Sequence, residues 1–140
     1  MTVPAEQFPY VERDPSLGSA SLAPMLPLTL GGRQGIATSG LVDSGAAINV
    51  LPYTLGVQLG FDWDQQTKAV QLSGNLASVE ARVVVTSATV GAFAPVRLAF
   101  AWAKTDSVSV ILGQVNFFLE FDVCFFRSRS LFDVRPKPTP

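Results

Sequence analysis

An acidic residue, Asp43, interrupts the apolar stretch GLVDSGAAINVLP at residues 40–52 and is followed directly by Ser44 and Gly45. A carboxylate at the end of a buried strand is costly unless it is hydrogen-bonded or paired. Paired with a second carboxylate, it could share a proton and act as general base toward water and general acid toward a carbonyl oxygen. By itself, the tripeptide favours a simpler interpretation, in which Asp43 caps a turn by accepting hydrogen bonds from the amides of Ser44 and Gly45.

The residue types exclude several other chemistries. The 140 residues include no histidine and a single cysteine, Cys124. Ser–His and Cys–His nucleophile pairs are therefore impossible, as is an internal disulfide. Asp62 and Asp64 could supply only a fragment of a calcium-binding loop, and the alternating strand around Cys124 predicts a buried, inert thiol. We predict neither a metal nor a cofactor.

The charge pattern bears on partners and location. Ten basic and eleven acidic residues give a net charge of −1 without a block of like charge, which argues against a nucleic-acid partner. Residues 1–14 lack the features of a signal peptide, and the apolar stretch at 83–96 is too short to span a membrane. We expect a cytoplasmic protein without a membrane span. Because only 15% of the residues are charged, we also expect an apolar surface covered by a partner.

Strands must position Asp43, because short apolar runs separated by turn-forming residues are typical of a β protein. The predicted strands lie near residues 6–11, 24–30, 36–43, 67–73, 78–90, 94–102, 107–112, 120–126 and 130–134. Hairpins are predicted at Gly31 and Gly32 and around residues 127–130, and helical turns within 51–60 and 113–121. The length fits one domain, which we divide into a partly flexible N-terminal arm at 1–23, a folded domain at 24–135 and a flexible tail at 136–140.

A second motif follows later in the chain, in SVSVILGQVNFFL at residues 107–119. Its alternating strand ends in Ile111, Leu112 and Gly113, and glycine at such an end permits close backbone approach. Alone, this motif is an ordinary strand-to-helix turn. Together, D-S-G-A after one apolar strand and I-L-G after another resemble the retropepsin-like aspartic proteases, over roughly residues 27–135.

This resemblance implies an all-β fold, namely a small closed β-barrel with one short helix that forms half of a two-fold dimer. It implies that Asp43 is the catalytic aspartate. The active-site loop, which also makes hydrogen bonds across the dimer, would comprise Ser44, Gly45 and Ala46. The residues that support this loop from beneath would be Ile111, Leu112 and Gly113.

The segment TKAVQLSGNLASVEARVVV at residues 67–85 predicts two β runs joined by a turn. From the residues alone, a plain surface hairpin is about as good an interpretation as a mobile one. In the family, this position is occupied by the flap, a hairpin that closes over the peptide substrate. The resemblance therefore implies a flap that contains Leu72, Ser73, Gly74 and Asn75.

The function implied by the resemblance is that of an aspartic endopeptidase, a hydrolase that cleaves a peptide or protein substrate. Because the chain holds one D-S-G, the dyad must form across a homodimer. We expect apolar subsites walled by Ile48, Val50, Leu72, Leu76 and Ile111. Two alternatives remain. The domain could be a non-catalytic peptide-binding or dimerisation module, or a structural β domain in which Asp43 only caps a turn.

The chain also departs from the retroviral pattern. Ala46 stands where pepsin-like enzymes carry a hydroxyl residue that can bond the carboxylate, so we expect a pH optimum less acidic than that of pepsin. Ala47, Ile48 and Gln114 replace the acidic residues and the arginine whose ion pair braces the retroviral dimer. We therefore expect a weaker dimer. The proline-rich residues 135–140 are poorly suited to central pairing, whereas residues 6–13 could form an outer strand.

Overall fold

Short strands form most of the fold in the computed structural model, which describes residues 3–140. The strands are β1 Glu6–Pro9, β2 Val11–Glu12, β3 Leu22–Ala23, β4 Met25–Leu30, β5 Ile36–Val42, β6 Asn49–Leu51, β7 Ala81–Thr89, β8 Val96–Ala103, β9 Val110–Leu112, β10 Phe121–Phe126 and β11 Leu131–Pro136. Within residues 3–140 there are two α-helices, α1 Tyr53–Gln58 and α2 Phe117–Glu120, with 3-10 turns at Pro15–Ser21, Trp63–Gln65, Gly74–Leu76 and Arg127–Arg129. Both segments predicted to contain helical turns do so. None of the helices described within residues 3–140 is long and apolar enough to span a bilayer.

Six of these strands close into a barrel in the order β4, β5, β9, β6, β8 and β7. Burial alternates along β4, where Leu26, Leu28 and Leu30 point into the core. On β8, the side chains of Phe100 and Trp102 are also fully enclosed. Period-two apolar patterning therefore fills the interior, as expected for a strand with one buried face. The predicted all-β closed barrel is confirmed.

The strand β9 lies between β5, which leads into the loop at residues 43–48, and β6, which follows that loop. It pairs in parallel with β5, from Gly40 opposite Val110 to Val42 opposite Leu112. On its other side, Ile111 pairs with β6 in an antiparallel sense. No strand was predicted at β6, whereas the structure makes it a barrel strand that also pairs with β8. This arrangement fixes both ends of the loop that carries Asp43.

A separate three-stranded sheet, in the order β1, β11, β10, is formed by both ends of the chain. The predicted outer strand is confirmed at Glu6–Pro9, which pairs antiparallel to β11. Strand β11 is central, but Arg135 and Pro136 pair only with β10. The ring of Phe8 stacks on that of Phe132 with centroids 5.6 Å apart. The two ends of the chain are thus joined within one molecule.

The predicted burial of Cys124 is wrong, because its side chain is exposed. Residues two apart in a strand share a face, and Cys124 lies on the same outer face of β10 as the exposed Asp122. Burial alternates along the first part of this strand, but the face turned toward the interior is the one that carries Phe121 and Val123. The period alone did not identify which face is buried.

The predicted strand at 67–73 is also wrong. Its ladder to β7 is limited to the bridge between Ala69 and Arg82 and the hydrogen bonds beside it. Beyond Val70 the chain turns through the 3-10 segment Gly74–Leu76, where Gly74 has a φ of 62°. The Gln71 side chain donates to the carbonyls of Leu72, at 2.9 Å, and Ala77, at 2.8 Å. These local bonds replace the strand ladder.

Helix α1 is attached to the barrel at its N-terminus by Asp106. The Asp106 carboxylate accepts from the Thr54 backbone N–H at 2.7 Å and from the Thr54 hydroxyl at 2.5 Å. The Thr54 hydroxyl, followed by the Thr54 amide, lowers the pKa of Asp106 below its ordinary value of 3.8. An anion at this end of a helix also complements the free amides.

We expect Asp106→Asn to lower the unfolding temperature at neutral pH, because the amide cannot reproduce two bonds accepted by a carboxylate. The folded-state pKa lies below the unfolded-state value, so this stabilisation is present above about pH 3.8 and is lost as the pH falls through the folded-state pKa. Thermal unfolding followed by circular dichroism across this range provides the measurement. The exposed Asp64→Asn variant is the control. A difference between Asp106→Asn and the wild type that does not narrow toward low pH would contradict this role.

Candidate active site

Asp43 directly follows β5, in a loop whose backbone forms a hydrogen bond with the Asp43 carboxylate. The Asp43 N–H donates to the Leu112 carbonyl at 3.0 Å, and the Ala46 N–H returns to the Asp43 carbonyl at 3.1 Å. Asp43 Oδ1 accepts from the Gly45 N–H at 2.9 Å. Within the described chain, Oδ2 accepts no hydrogen bond. The half-buried carboxylate is therefore fixed through one oxygen and free at the other.

Gly113 brings the I-L-G motif directly beneath this loop. A Cβ at Gly113 would lie 2.5 Å from the Ile48 carbonyl oxygen and 2.8 Å from that of Ala46. No side chain fits at such distances, so glycine is required by close backbone approach. Leu112 and Gly113 are both buried, and Ile111 is half-buried beside them. The Leu112 carbonyl and Gly113 therefore contact the loop directly, and the supporting role of the three residues stays a prediction.

Backbone hydrogen bonds join the loop to the residues after Gly113. The Gln114 N–H donates to the Ala46 carbonyl at 2.9 Å, and the Val115 N–H donates to the Ala47 carbonyl at 3.0 Å. The Gln114 side chain adds a bond from Nε2 to the Ser44 carbonyl at 2.8 Å. At the positions of the retroviral ion pair, the chain therefore uses neutral hydrogen bonds.

A pair of amide side chains, the fully buried Asn49 and the half-buried Asn116, supports the same junction and was missed by the sequence analysis. Asn49 is fully buried, and its Oδ1 accepts the Gly113 N–H at 2.8 Å. Its Nδ2 donates to the carbonyl of Ala99 and to Oδ1 of Asn116. Since buried polar atoms are costly without partners, this pair is a specific link between β6, β8 and the loop after β9. The available signal was an asparagine inside the apolar run INVL and a second one shortly after I-L-G.

An open cavity of about 420 Å³ borders the loop. Its lining includes Gly45 and Ala46 from the loop and the five predicted wall residues Ile48, Val50, Leu72, Leu76 and Ile111. Ser73 also lines it, whereas Gly74 and Asn75 are exposed and do not. A smaller groove of about 120 Å³ shares Ile48 and Val70 with it. The structure therefore brings parts of the active-site loop, the predicted flap and the predicted walls together around one apolar cleft, whereas Asp43, Ser44, Leu112 and Gly113 do not line it.

The part of the chain that the structure describes contains no cluster of side chains suited to binding a metal ion. Within residues 3–140, no group of three or more His, Cys, Asp or Glu side chains could hold an ion. Asp62 instead accepts the Asp64 N–H at 3.1 Å and caps the short turn at Trp63–Gln65. The ionisable group of the candidate site is the Asp43 carboxylate.

The six-stranded barrel, with a D-S-G-A loop joined to an I-L-G strand end, has the retropepsin-like fold. It is similar to a retropepsin-like aspartic protease from Rickettsia conorii, with a TM-score of 0.62, 13% identity and coverage of 97% of this chain and 96% of the other. It is also similar to the retroviral protease-like domain of Ddi1 from Leishmania major, with a TM-score of 0.57, 15% identity and coverage of 83% and 94%.

At these identities, the two structural similarities show the fold alone. A sequence model of the aspartyl protease family matches residues 26–115. The chain belongs to this family, and the resemblance stated from the two motifs is confirmed. No curated protein matches the chain in sequence.

We expect Gly113→Ala to destabilise the fold by about 1–3 kcal/mol, the usual cost of forcing extra atoms into a packed region. The obstructing atoms are the backbone carbonyls of Ala46 and Ile48, which cannot move without the loop. Urea denaturation measures the change. The matched control is Gly32→Ala, where an added Cβ meets nothing within 4 Å. Equal stability of the two variants would contradict the close approach.

Proposed function

We propose that the protein is an aspartic endopeptidase of retropepsin type, whose dyad consists of Asp43 from each of two copies. The observation that carries the proposal is the Asp43 carboxylate, with Oδ1 fixed by the Gly45 N–H and no hydrogen bond to Oδ2 in the described chain, in the loop whose Gly45 and Ala46 line the 420 Å³ apolar cleft. In the dyad, one carboxylate takes a proton from the attacking water. The other gives a proton to the carbonyl oxygen of the scissile peptide bond.

The second copy is a chemical requirement of this mechanism, because one chain supplies one carboxylate of the D-S-G type. In a two-fold dimer the same surface of both subunits meets, so the Asp43 loops would face each other. Ser44, which is exposed, would make a hydrogen bond to the partner loop, and the Gly45 carbonyl would accept from the substrate backbone. Family membership supports this arrangement.

The proposed substrate is a peptide in extended form with apolar side chains. The walls of the cleft are aliphatic, and Leu72 packs in one cluster with Val50 and its neighbours. We propose that residues 71–77 are the flap, which closes over the bound peptide. The backbone of the peptide would add to the sheet as an extra strand. Gln71 would shape this flap, since its side chain bonds two carbonyls of the segment.

A second candidate function is a non-catalytic peptide-binding or dimerisation module with the same fold. The bond from the Gly45 N–H to Asp43 Oδ1 favours it, because a carboxylate that only caps the turn would make the same contact. Fold alone does not decide between the two.

We expect Asp43→Asn to lower peptide cleavage by about 100-fold or more, the scale of general acid–base catalysis. The asparagine Oδ1 can still accept the Gly45 N–H, so the fold and any dimer should persist. Cleavage of a mixed peptide pool, assayed from acidic to neutral pH, is measured on the same samples as mass by light scattering in a dilution series. Asp64→Asn is the control for a lost surface carboxylate.

Catalysis across two subunits predicts that activity and dimer fraction fall together on dilution. A protein that remains monomeric at every concentration and cleaves nothing, yet binds peptides, would instead support the module. Cleavage retained in Asp43→Asn would refute the catalytic role.

For the flap, we expect Gln71→Leu to raise KM about fivefold, since it removes bonds whose net contribution is about 1 kcal/mol. The bonds lost are those to the carbonyls of Leu72 and Ala77. Steady-state kinetics provides the measurement. Gln66→Leu is the matched control, because Gln66 also donates to a backbone carbonyl but does not line the cleft. An unchanged KM in Gln71→Leu would contradict the flap assignment.

A further inference from the structure

The peptide unit between Ser44 and Gly45 is held at both of its polar ends. Its carbonyl oxygen, from Ser44, accepts from Gln114 Nε2 at 2.8 Å. Its N–H, from Gly45, donates to Asp43 Oδ1 at 2.9 Å. A continuous path of hydrogen bonds therefore runs from the Gln114 side chain through one peptide unit to the candidate catalytic carboxylate.

Because the peptide bond is planar, the orientation of the Ser44 carbonyl fixes the orientation of the Gly45 N–H. In a trans peptide, the C=O and N–H vectors point in opposite directions within one plane. Turning the Ser44 carbonyl toward Gln114 therefore aims the Gly45 N–H at Asp43. Hydrogen bonds in series also polarise one another, so a donor on the carbonyl strengthens the N–H as a donor.

We propose that Gln114 is a positioning residue for Asp43, acting through the Ser44–Gly45 peptide unit. This inference rests on the proposed function for its catalytic consequence, but not for the geometry. Gln114 would orient Asp43 Oδ1 toward the Gly45 N–H and thereby direct Oδ2 toward the reacting water. A displacement of about 1 Å at a reacting group can lower a rate by about 100-fold, so a weak bond at this position has a large catalytic effect.

The chemistry of the side chain determines which residues could replace it. The Ser44 carbonyl is an acceptor, so it requires the NH₂ end of Gln114. Glutamate at this position would present only acceptors and add a negative charge, and methionine would preserve length without any donor. Arginine retains a donor that can reach a carbonyl.

The contribution of Gln114 to overall stability should be small. Its side chain is exposed, and its backbone N–H still donates to the Ala46 carbonyl whatever the side chain. The Asn49 bond to Gly113 is independent of it as well. Loss of the side chain should therefore disturb one peptide unit without releasing the loop from β9.

The test compares Gln114→Met, Gln114→Glu and Gln114→Arg with the wild type. Amide hydrogen exchange of Gly45, resolved by NMR, reports the orientation of the peptide unit without requiring activity. We expect exchange at Gly45 to rise about tenfold in the Met and Glu variants, and to stay within about threefold of wild type in the Arg variant. The control is Gln58→Met, at an exposed position on α1.

Kinetics on the same variants tests the catalytic consequence. We expect kcat to fall about tenfold in Gln114→Met while KM changes less than about twofold, because the cleft walls are untouched. Gln114→Arg should restore kcat. A merely structural role would instead lower the unfolding temperature without a separation of kcat from KM and without rescue by arginine.

The outcomes separate this inference from the proposed function. If the wild type cleaves nothing, the endopeptidase proposal fails, while the Gly45 exchange still decides whether Gln114 orients the peptide unit. Unchanged exchange at Gly45 in Gln114→Met overturns the inference. Raised exchange with unchanged kcat in an active enzyme overturns it as well.

Discussion

The contact on which the site depends is the close approach of two backbones at Gly113. The carbonyls of Ala46 and Ile48 come so near that only a hydrogen fits on the Gly113 Cα. This approach allows the amides of Gln114 and Val115 to bond the loop that carries Asp43, while the Gly113 amide bonds the Asn49 side chain on β6. The barrel topology makes it possible, because β9 lies between the two strands at either end of that loop. A larger residue at this point would separate the carboxylate from its support.

Neutral amide side chains make the side-chain hydrogen bonds around this contact. Asn49, Asn116 and Gln114 are uncharged, and they bond backbone groups or one another. Such bonds do not titrate and are little affected by salt, in contrast to a surface ion pair. Where retroviral members carry the acid and the arginine, this chain has Ala47, Ile48 and Gln114, and the bonds that Gln114 and Val115 make to the loop lie within one chain. The loop keeps its shape independently of a second copy.

The pairing of the three-stranded sheet also lies within one chain. Strand β1 pairs with β11 of the same chain. The backbone groups on that side of β11 are thereby satisfied internally. The strength of any dimer stays a prediction. The cleft and the loop are both formed within one chain.

Local patterns in the sequence were sufficient to identify the two motifs, the alternating strands of the barrel and the aliphatic walls of the cleft. These features follow from side-chain periodicity and from glycine, which act over a few residues. Tertiary structure alone decided the burial of Asn49 against Asn116, the bond from Gln114 to Ser44 and the exposure of Cys124. It also replaced the strand predicted at 67–73 by turns. The reason is physical: hydrogen-bond partners distant in sequence, and the choice of which strand face is covered, depend on how the strands pack together.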